Sequence, residues 1–275
     1  MPIKTIFVPL SDAEGAGKTL SAAIRLAEGF GATVNVVHLR ADPTQALGDF
    51  VGESVSPQLV EEVLTQAERR ATAIAAAVRK AYDAAAKTAK GVKLSYSESK
   101  TNSDVAVETQ GRLADLIVVR RASGTKDVGA RVVAEAALMG TGRPVLVLPA
   151  TPPAKIGTNV AIAWNDSLEA SKAVNAALPF LTGATNVSVI SANSGPSIDQ
   201  KGVVAYLGSH GIKARGVSVK AGADAGKAIV AAATKAKANL LVMGAYSHSR
   251  VREMIFGGVT EHALSSARIP VLLMH

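Results

Sequence analysis

The chain contains no cysteine, so disulfide bonds and thiolate chemistry are excluded. Aromatic residues make up only 4% of it, and tryptophan occurs once. Basic clusters interleaved with aromatics are missing, as are zinc-finger, RNP and helix-turn-helix patterns, so no nucleic-acid partner is expected. No apolar run reaches about 18 residues, the length a membrane-spanning helix needs, so no membrane partner is expected. The opening stretch Ile3–Leu10 is short and flanked or broken by Pro2 and Pro9; it reads as a first strand rather than a signal peptide. With the missing cysteine, this makes a cytoplasmic protein the expectation. His38, His210 and His275 form no cluster with metal-ligand spacing, so no metal site is expected. No serine sits in a Gly-x-Ser-x-Gly setting with a matched His/acid pair, and no catalytic residue is assigned.

What the chain has instead is alanine and branched aliphatics. Nearly half of it, 48%, is hydrophobic. That palette suits parallel strands covered on both faces by Ala-rich helices. The net charge of +8 is unevenly divided: residues 1–150 hold 18 Lys/Arg and 16 Asp/Glu, residues 151–275 hold 12 and 6. The positive excess lies in the second half, which suits an anionic ligand there, although solubilising charge alone would look the same.

The two halves follow one script. Ile3–Leu10, a polar turn, a helical stretch Lys18–Gly29 and a strand Thr33–Leu39 are matched by Asn159–Trp164, the turn Asn165-Asp-Ser167, a helical stretch Glu169–Leu181 and a strand Asn186–Ser191. Ala114-Asp-Leu-Ile-Val-Val119 matches Ala238-Asn-Leu-Leu-Val-Met243, and Arg143-Pro-Val-Leu-Val-Leu148 matches Ile269-Pro-Val-Leu-Leu-Met274. The repeat predicts two domains, 1–150 and 157–275, joined by the Pro-rich Ala150–Gly157. Each half alternates short apolar runs with helical patterns, which predicts an α/β fold of two repeated, doubly wound, parallel five-stranded sheets. In the first half the second helix is long, about Pro57 to Ala86, with Glu61, Glu62, Glu68, Arg69, Arg70, Arg79 and Lys80 as a solvated face. In the second half, helices are expected near Ile198–Ser209 and from Ala225, the latter capped by Asp224, with a strand near Ala214–Val219 between them.

Near the C-terminus the strand Asn239–Met243 runs into a long loop that starts at Gly244 and ends at Gly257-Gly258-Val259-Thr260, followed by a short helix. Glycines at both ends of a strand-to-helix loop allow backbone N–H groups to approach an anion, and the helix adds its own unpaired N–H groups and positive dipole end. In open α/β sheets this loop and the one after the first strand, Trp164–Ser167, meet beyond the carboxyl ends of the strands.

At these residues the chain resembles the universal stress protein family in its tandem two-domain form. The family pattern is Gly, two residues, Gly, nine residues, Gly, then Ser or Thr; Gly244 and Gly257 match its first and third glycines at the right spacing. Val259-Thr260, the closing Pro270-Val-Leu-Leu, and Ala163-Trp-Asn-Asp-Ser-x-Glu-Ala-Ser171 match as well, and the resemblance covers essentially the whole chain. It implies a Rossmann-like, adenine-nucleotide-binding type of fold, a role in stress response, and ATP or another adenine nucleotide as ligand, with or without Mg²⁺. Carried over residue by residue, the binding positions are Ala163, Asn165, Met243, Gly244, Ser247, His248, Gly257, Gly258, Val259 and Thr260. Three positions depart from the pattern: Ser247 stands for the second glycine, Gly258 for the Ser/Thr, and Asn165 for the first-strand Asp. Each keeps a donor or backbone freedom that a phosphate or a polar ring edge can use. The two similar halves are expected to pack as an internal pseudo-dimer through their last strands, covering exposed edges, and the resemblance implies further self-association as a homodimer.

The first half has lost these features. Arg120 aligns with Gly244, and Arg131 and Val132 align with Gly257 and Gly258, so this half is expected to be structural unless Arg120 meets phosphate through its side chain. Asp12-Ala-Glu-Gly-Ala-Gly-Lys-Thr19 nearly spells a P-loop, but Asp12 stands where glycine is needed, and the preferred reading is a turn before a helix. Two other functions remain open: a nucleotide-independent interaction scaffold, and a slow nucleotide hydrolase on the same loop, using Arg250, Arg252 and His248.

Overall fold

The computed structural model describes residues 2–50, 56–124, 126–193, 198–221, 224–245 and 258–275. The first round of elements is β1 (Thr5–Leu10), α1 (Ala16–Phe30), β2 (Thr33–Leu39), a 3-10 helix (Pro43–Phe50), α2 (Pro57–Ala86), β3 (Leu94–Ser99), α3 (Ser103–Gly111), β4 (Leu116–Arg120), α4 (Val128–Gly140) and β5 (Val145–Leu148). The second round is β6 (Asn159–Ala163), α5 (Leu168–Leu181), β7 (Asn186–Asn193), α6 (Lys201–Ser209), β8 (Ala214–Lys220), α7 (Ala225–Lys235), β9 (Leu240–Gly244), α8 (Gly258–Ser266) and β10 (Val271–Met274).

Local chemistry sets the boundaries. The Ser56 hydroxyl accepts from the Leu59 N–H and Pro57 opens α2, where a missing N–H costs nothing. Gly31, in the left-handed region at φ 63°, closes α1. Asp224 caps α7, as the sequence predicts, by accepting from the Lys227 N–H at 2.9 Å. Helix α2 buries Ala71, Ala75, Val78 and Ala85 at helical spacing, and its seven predicted surface charges are all exposed.

The chain divides into two compact units, Lys4–Thr141 and Gly142–His275 with Met1–Ile3. In the N-terminal unit the strand order is β3-β2-β1-β4, all parallel, and it reverses direction between β1 and β4. In the C-terminal unit the order is β8-β7-β6-β9-β10-β5, reversing between β6 and β9. Central strands are buried along nearly their whole length, while β3 and β8 alternate half-buried and exposed residues, as strands at a sheet edge do. One pairing differs from the all-parallel expectation. β5 runs antiparallel to β10, with Leu146 opposite Leu272, and lies in the second compact unit. Its apolar sequence marks it as a buried strand but carries no information about its direction.

The repeat is visible in side-chain chemistry as well. In the N-terminal unit one oxygen of Asp115, just before β4, accepts from the N–H groups of Lys4 and Thr5 at 2.9 Å, pinning the start of β1. Asn239 does the same just before β9: its Oδ1 accepts from Gly157 N at 3.1 Å and Asn159 N at 3.0 Å. Each residue ties two neighbouring strands together at the amino end, away from the site. Replacing Asn239 by Ala leaves two backbone donors unmatched and is expected to cost about 1–3 kcal/mol in urea unfolding. Asn239→Asp, which keeps the acceptor, should cost clearly less.

Candidate functional site

The reversal point of the C-terminal sheet brings together the ends of β6 and β9, which pair in register from Val160↔Leu240 to Ala163↔Met243. Ala163 and Met243 are buried there as adjacent backbone positions, 8% and 3% exposed. Beyond β6 the chain turns through Asn165, whose Oδ1 accepts from the Ser167 N–H at 3.3 Å, and Asp166, at φ 60°. Ser167 then caps α5 by accepting from the Ala170 N–H at 3.1 Å. Asn165 therefore shapes the turn with its oxygen, and its amide group makes no hydrogen bond among the described residues.

Gly244 ends β9, pairing with Met274. A Cβ built on it would lie 2.6 Å from both the Ala170 nitrogen and the Glu169 carbonyl carbon. The side-chain-free position thus lets β9 and the first turn of α5 pass at backbone contact. Sequence reasoning assigned this glycine to ligand approach alone; the structure gives it a packing duty as well. Ala245 follows, fully buried, its N–H bonded to Met274 O and its carbonyl 3.2 Å from His275 Nδ1.

Gly258, Val259 and Thr260 form the first turn of α8. Among the described residues a Cβ on Gly258 would meet nothing within 4 Å, while Thr260 is 5% exposed. Helix α8 is held against α7 at two points. A Cβ on Gly226 would lie 2.7 Å from the His262 Cβ, and His262 Nδ1 lies 3.3 Å from Asp224 Oδ2. The Asp224 carboxyl is held below its usual range, chiefly by the Lys227 N–H and also by His262. Of the ten predicted site positions, seven (Ala163, Asn165, Met243, Gly244, Gly258, Val259 and Thr260) are described; Ser247, His248 and Gly257 lie outside the described residues, as do Arg250 and Arg252.

The sequence offers Trp164 either as a stacking floor of the crevice or as a core aromatic at a strand end; the unpaired polar atoms buried there were not foreseen. Trp164 continues the ladder past β6, its N–H donating to Ile190 O at 2.8 Å, which sets it beside Ser191 of β7. The indole Nε1 and the Ser191 hydroxyl are both buried without a hydrogen-bond partner. Buried polar groups are normally paired, and these two are exceptions at neighbouring positions, as is His38 Nε2 near the carboxyl end of β2 in the other unit. Trp164 had a sequence signal, as the aromatic between an apolar strand and Asn165; Ser191 had none, since β7 also carries Asn186, Ser188 and Asn193. A concavity of ≈ 340 Å³, lined by Val230, Ala233, Leu241 and Ile269 among others, also lies in this unit, against the starting end of β9 rather than its carboxyl end.

The corresponding place in the N-terminal unit is filled from within. Arg120, at the position of Gly244, is 14% exposed in its side chain. Its Nη2 lies 2.6 Å from Asp12 Oδ2 and 3.0 Å from Asp127 Oδ1, and its Nη1 pairs with Asp127 Oδ2. Asp127 also accepts from the Ser123 N–H at 2.8 Å and caps α4 through the Ala130 N–H at 3.4 Å. Arg120 holds the Asp127 carboxyl well below the usual carboxylate range, and the two carboxylates in turn hold the Arg120 guanidinium charged. The near-P-loop is part of this arrangement: Asp12 Oδ2 binds Arg120, Asp12 Oδ1 accepts from the Glu14 N–H, and Gly15, at φ 65°, opens α1 beside the Arg120 side chain. Among the described residues no group of three or more His, Asp or Glu could hold a metal ion.

The model of the universal stress protein family matches residues 213–275, the stretch that runs from β8 through the glycine loop to β10. Over that segment, under a quarter of the chain, it is similar to the universal stress protein family. Solved structures extend the likeness in fold to the whole chain. A universal stress protein from Archaeoglobus fulgidus is 16% identical with a TM-score of 0.67, covering 98% of this chain and 95% of its own. A putative universal stress protein from Pseudomonas aeruginosa is 18% identical with a TM-score of 0.58, covering 99% and 93%. No curated protein sequence matches the chain. No helix among the described residues is long and apolar enough to cross a membrane.

The Gly244 contact makes a prediction that does not depend on ligand. Gly244→Ala pushes a methyl group into the backbone of α5 and is expected to destabilise the ligand-free protein by about 1–3 kcal/mol, read by thermal or denaturant unfolding. Gly258→Ala, at a position that no described residue crowds, should change stability by less than about 0.5 kcal/mol or raise it slightly.

Proposed function

We propose that the C-terminal unit binds ATP or another adenine nucleotide in the crevice beyond β6, β7 and β9. The protein then acts as a cytoplasmic nucleotide-binding stress-response factor rather than as an enzyme of rapid turnover. In this reading residues 157–275 carry the site and the first repeat, residues 1–150, supports it.

The observation that carries the reading is the contrast at one position of the repeat. Where the first unit has Arg120 with its two carboxylates, the second has Gly244, and the next helix begins at Gly258 with no described residue where a side chain would stand. The match of residues 213–275 to the universal stress protein family model supports the same conclusion, as does the positive balance of the second half. Phosphates would lie at the first turn of α8, where N–H groups and the helix dipole favour negative charge. The base and sugar would lie toward Asn165, Trp164 and Ser191. Phosphoryl transfer needs positioned cations and an oriented nucleophile, and nothing among the described residues supplies that set.

Isothermal calorimetry with ATP, ADP, AMP and GTP tests the reading. Saturable heat at one site per chain for an adenine nucleotide is expected. At a ligand concentration of about 100 times Kd, the protein should gain about 2.7 kcal/mol of stability. Absence of both heat and thermal stabilisation at millimolar nucleotide would refute it.

A further inference from the structure

We propose that the Asp127 carboxylate is a built-in substitute for an anionic ligand, so that the N-terminal unit is an autoinhibited anion site rather than a featureless one. The juxtaposition that carries this is the convergence of donors on a single carboxylate. Arg120 contributes both terminal nitrogens, Ser123 its N–H at 2.8 Å and its hydroxyl at 3.2 Å, and α4 its Ala130 N–H at 3.4 Å. A planar guanidinium, a hydroxyl, a loop amide and the N-terminus of a 13-residue helix are the donor types that hold a phosphate.

Two further observations separate this arrangement from an ordinary surface ion pair. The guanidinium is largely shielded, 14% exposed, and Asp127 is 11% exposed, so neither charge is solvated as a surface residue would be. Asp12, from the turn after β1, also grips the same guanidinium, through its Oδ2 at 2.6 Å. Arg120 is thus fixed in position by one carboxylate and neutralised by the other. Removing the second should leave a positioned, undercompensated cation facing vacated donors. An anion from solution would then meet the contacts that Asp127 now makes.

The occupant that fits is a small tetrahedral oxyanion, a free phosphate or a terminal phosphate of a larger ligand. A ligand with a large apolar body finds no room described beside Arg120, since the aliphatic part of that side chain already lies against Gly15. In the wild-type chain the intramolecular carboxylate competes at an effective concentration no solution anion matches. The N-terminal unit therefore stays closed to phosphate while the C-terminal unit remains free to respond.

The test uses the full-length chain and inorganic phosphate as the probe. Asp127→Asn keeps the shape of the side chain and a good helix cap but removes the charge; Asp127→Ser is the second variant should the first misfold. Thermal unfolding is followed against phosphate concentration for wild type, for the Asp127 variant, and for that variant combined with Arg120→Ala. The comparison with wild type subtracts any phosphate taken up by the C-terminal unit. The expected result is a phosphate-dependent rise in Tm for the single variant beyond that of wild type, with apparent affinity tightened by about tenfold or more, and loss of that gain in the double variant. A folded single variant whose phosphate response equals that of wild type would overturn the proposal, and so would a gain that survives Arg120→Ala. A single variant that takes up phosphate while the wild-type protein shows no nucleotide heat would sustain this inference and defeat the proposed function of the C-terminal unit, so the two failures are distinct.

Discussion

In both units the decisive constraint is how closely the end of the strand beside β1 or β6 approaches the helix that starts next to it. In the C-terminal unit β9 and α5 meet at backbone contact, which only glycine at position 244 permits. In the N-terminal unit the same strand position holds arginine, and the left-handed glycine stands on the helix side, at Gly15. The bulky residue brings a charge that must be matched, and Asp12 and Asp127 supply the match. From one choice of residue follow the cap of α4, the conformation of the β1–α1 turn and the chemistry of the crevice.

The two units therefore use one scaffold in two ways. Both pin the amino end of their first strand with an acid or amide placed just before the fourth, Asp115 or Asn239. Both reverse strand order at the same point, where the ligand crevice of an open α/β sheet lies. They differ at the carboxyl end. One unit fills that crevice with its own ion pairs; the other has glycine at 244 and, among the described residues, nothing against the helix start at Gly258, while each unit buries unpartnered polar atoms near its strand ends, His38 Nε2 in one and Trp164 Nε1 and Ser191 Oγ in the other.

Much of this was legible in the sequence because the signals are local. The helix Pro57–Ala86 and the strand Thr33–Leu39 have the boundaries the hydrophobic period predicts, and the Asp224 cap follows from an acid before an alanine-rich run. Information that is not local was lost. Nothing in Val145–Leu148 indicates that it will run antiparallel to β10, because four apolar residues specify burial and not direction. The dual duty of Gly244 was hidden for a similar reason: a missing side chain records that something comes close, not whether it is a ligand or the first turn of a helix. The role of Asp127 was missed because Arg120 and Asp12, which give it meaning, meet only in the folded unit.

The account rests on a nucleotide lying in the C-terminal crevice and not in the N-terminal one. The most direct measurement is a crystal structure of the full chain grown with an adenine nucleotide. The account predicts density with phosphates at the first turn of α8, the base toward Trp164 and Ser191, and the Asp12–Arg120–Asp127 bridge intact. Density for nucleotide against Arg120, or α8 and the strand ends bare at saturating ligand, would contradict it.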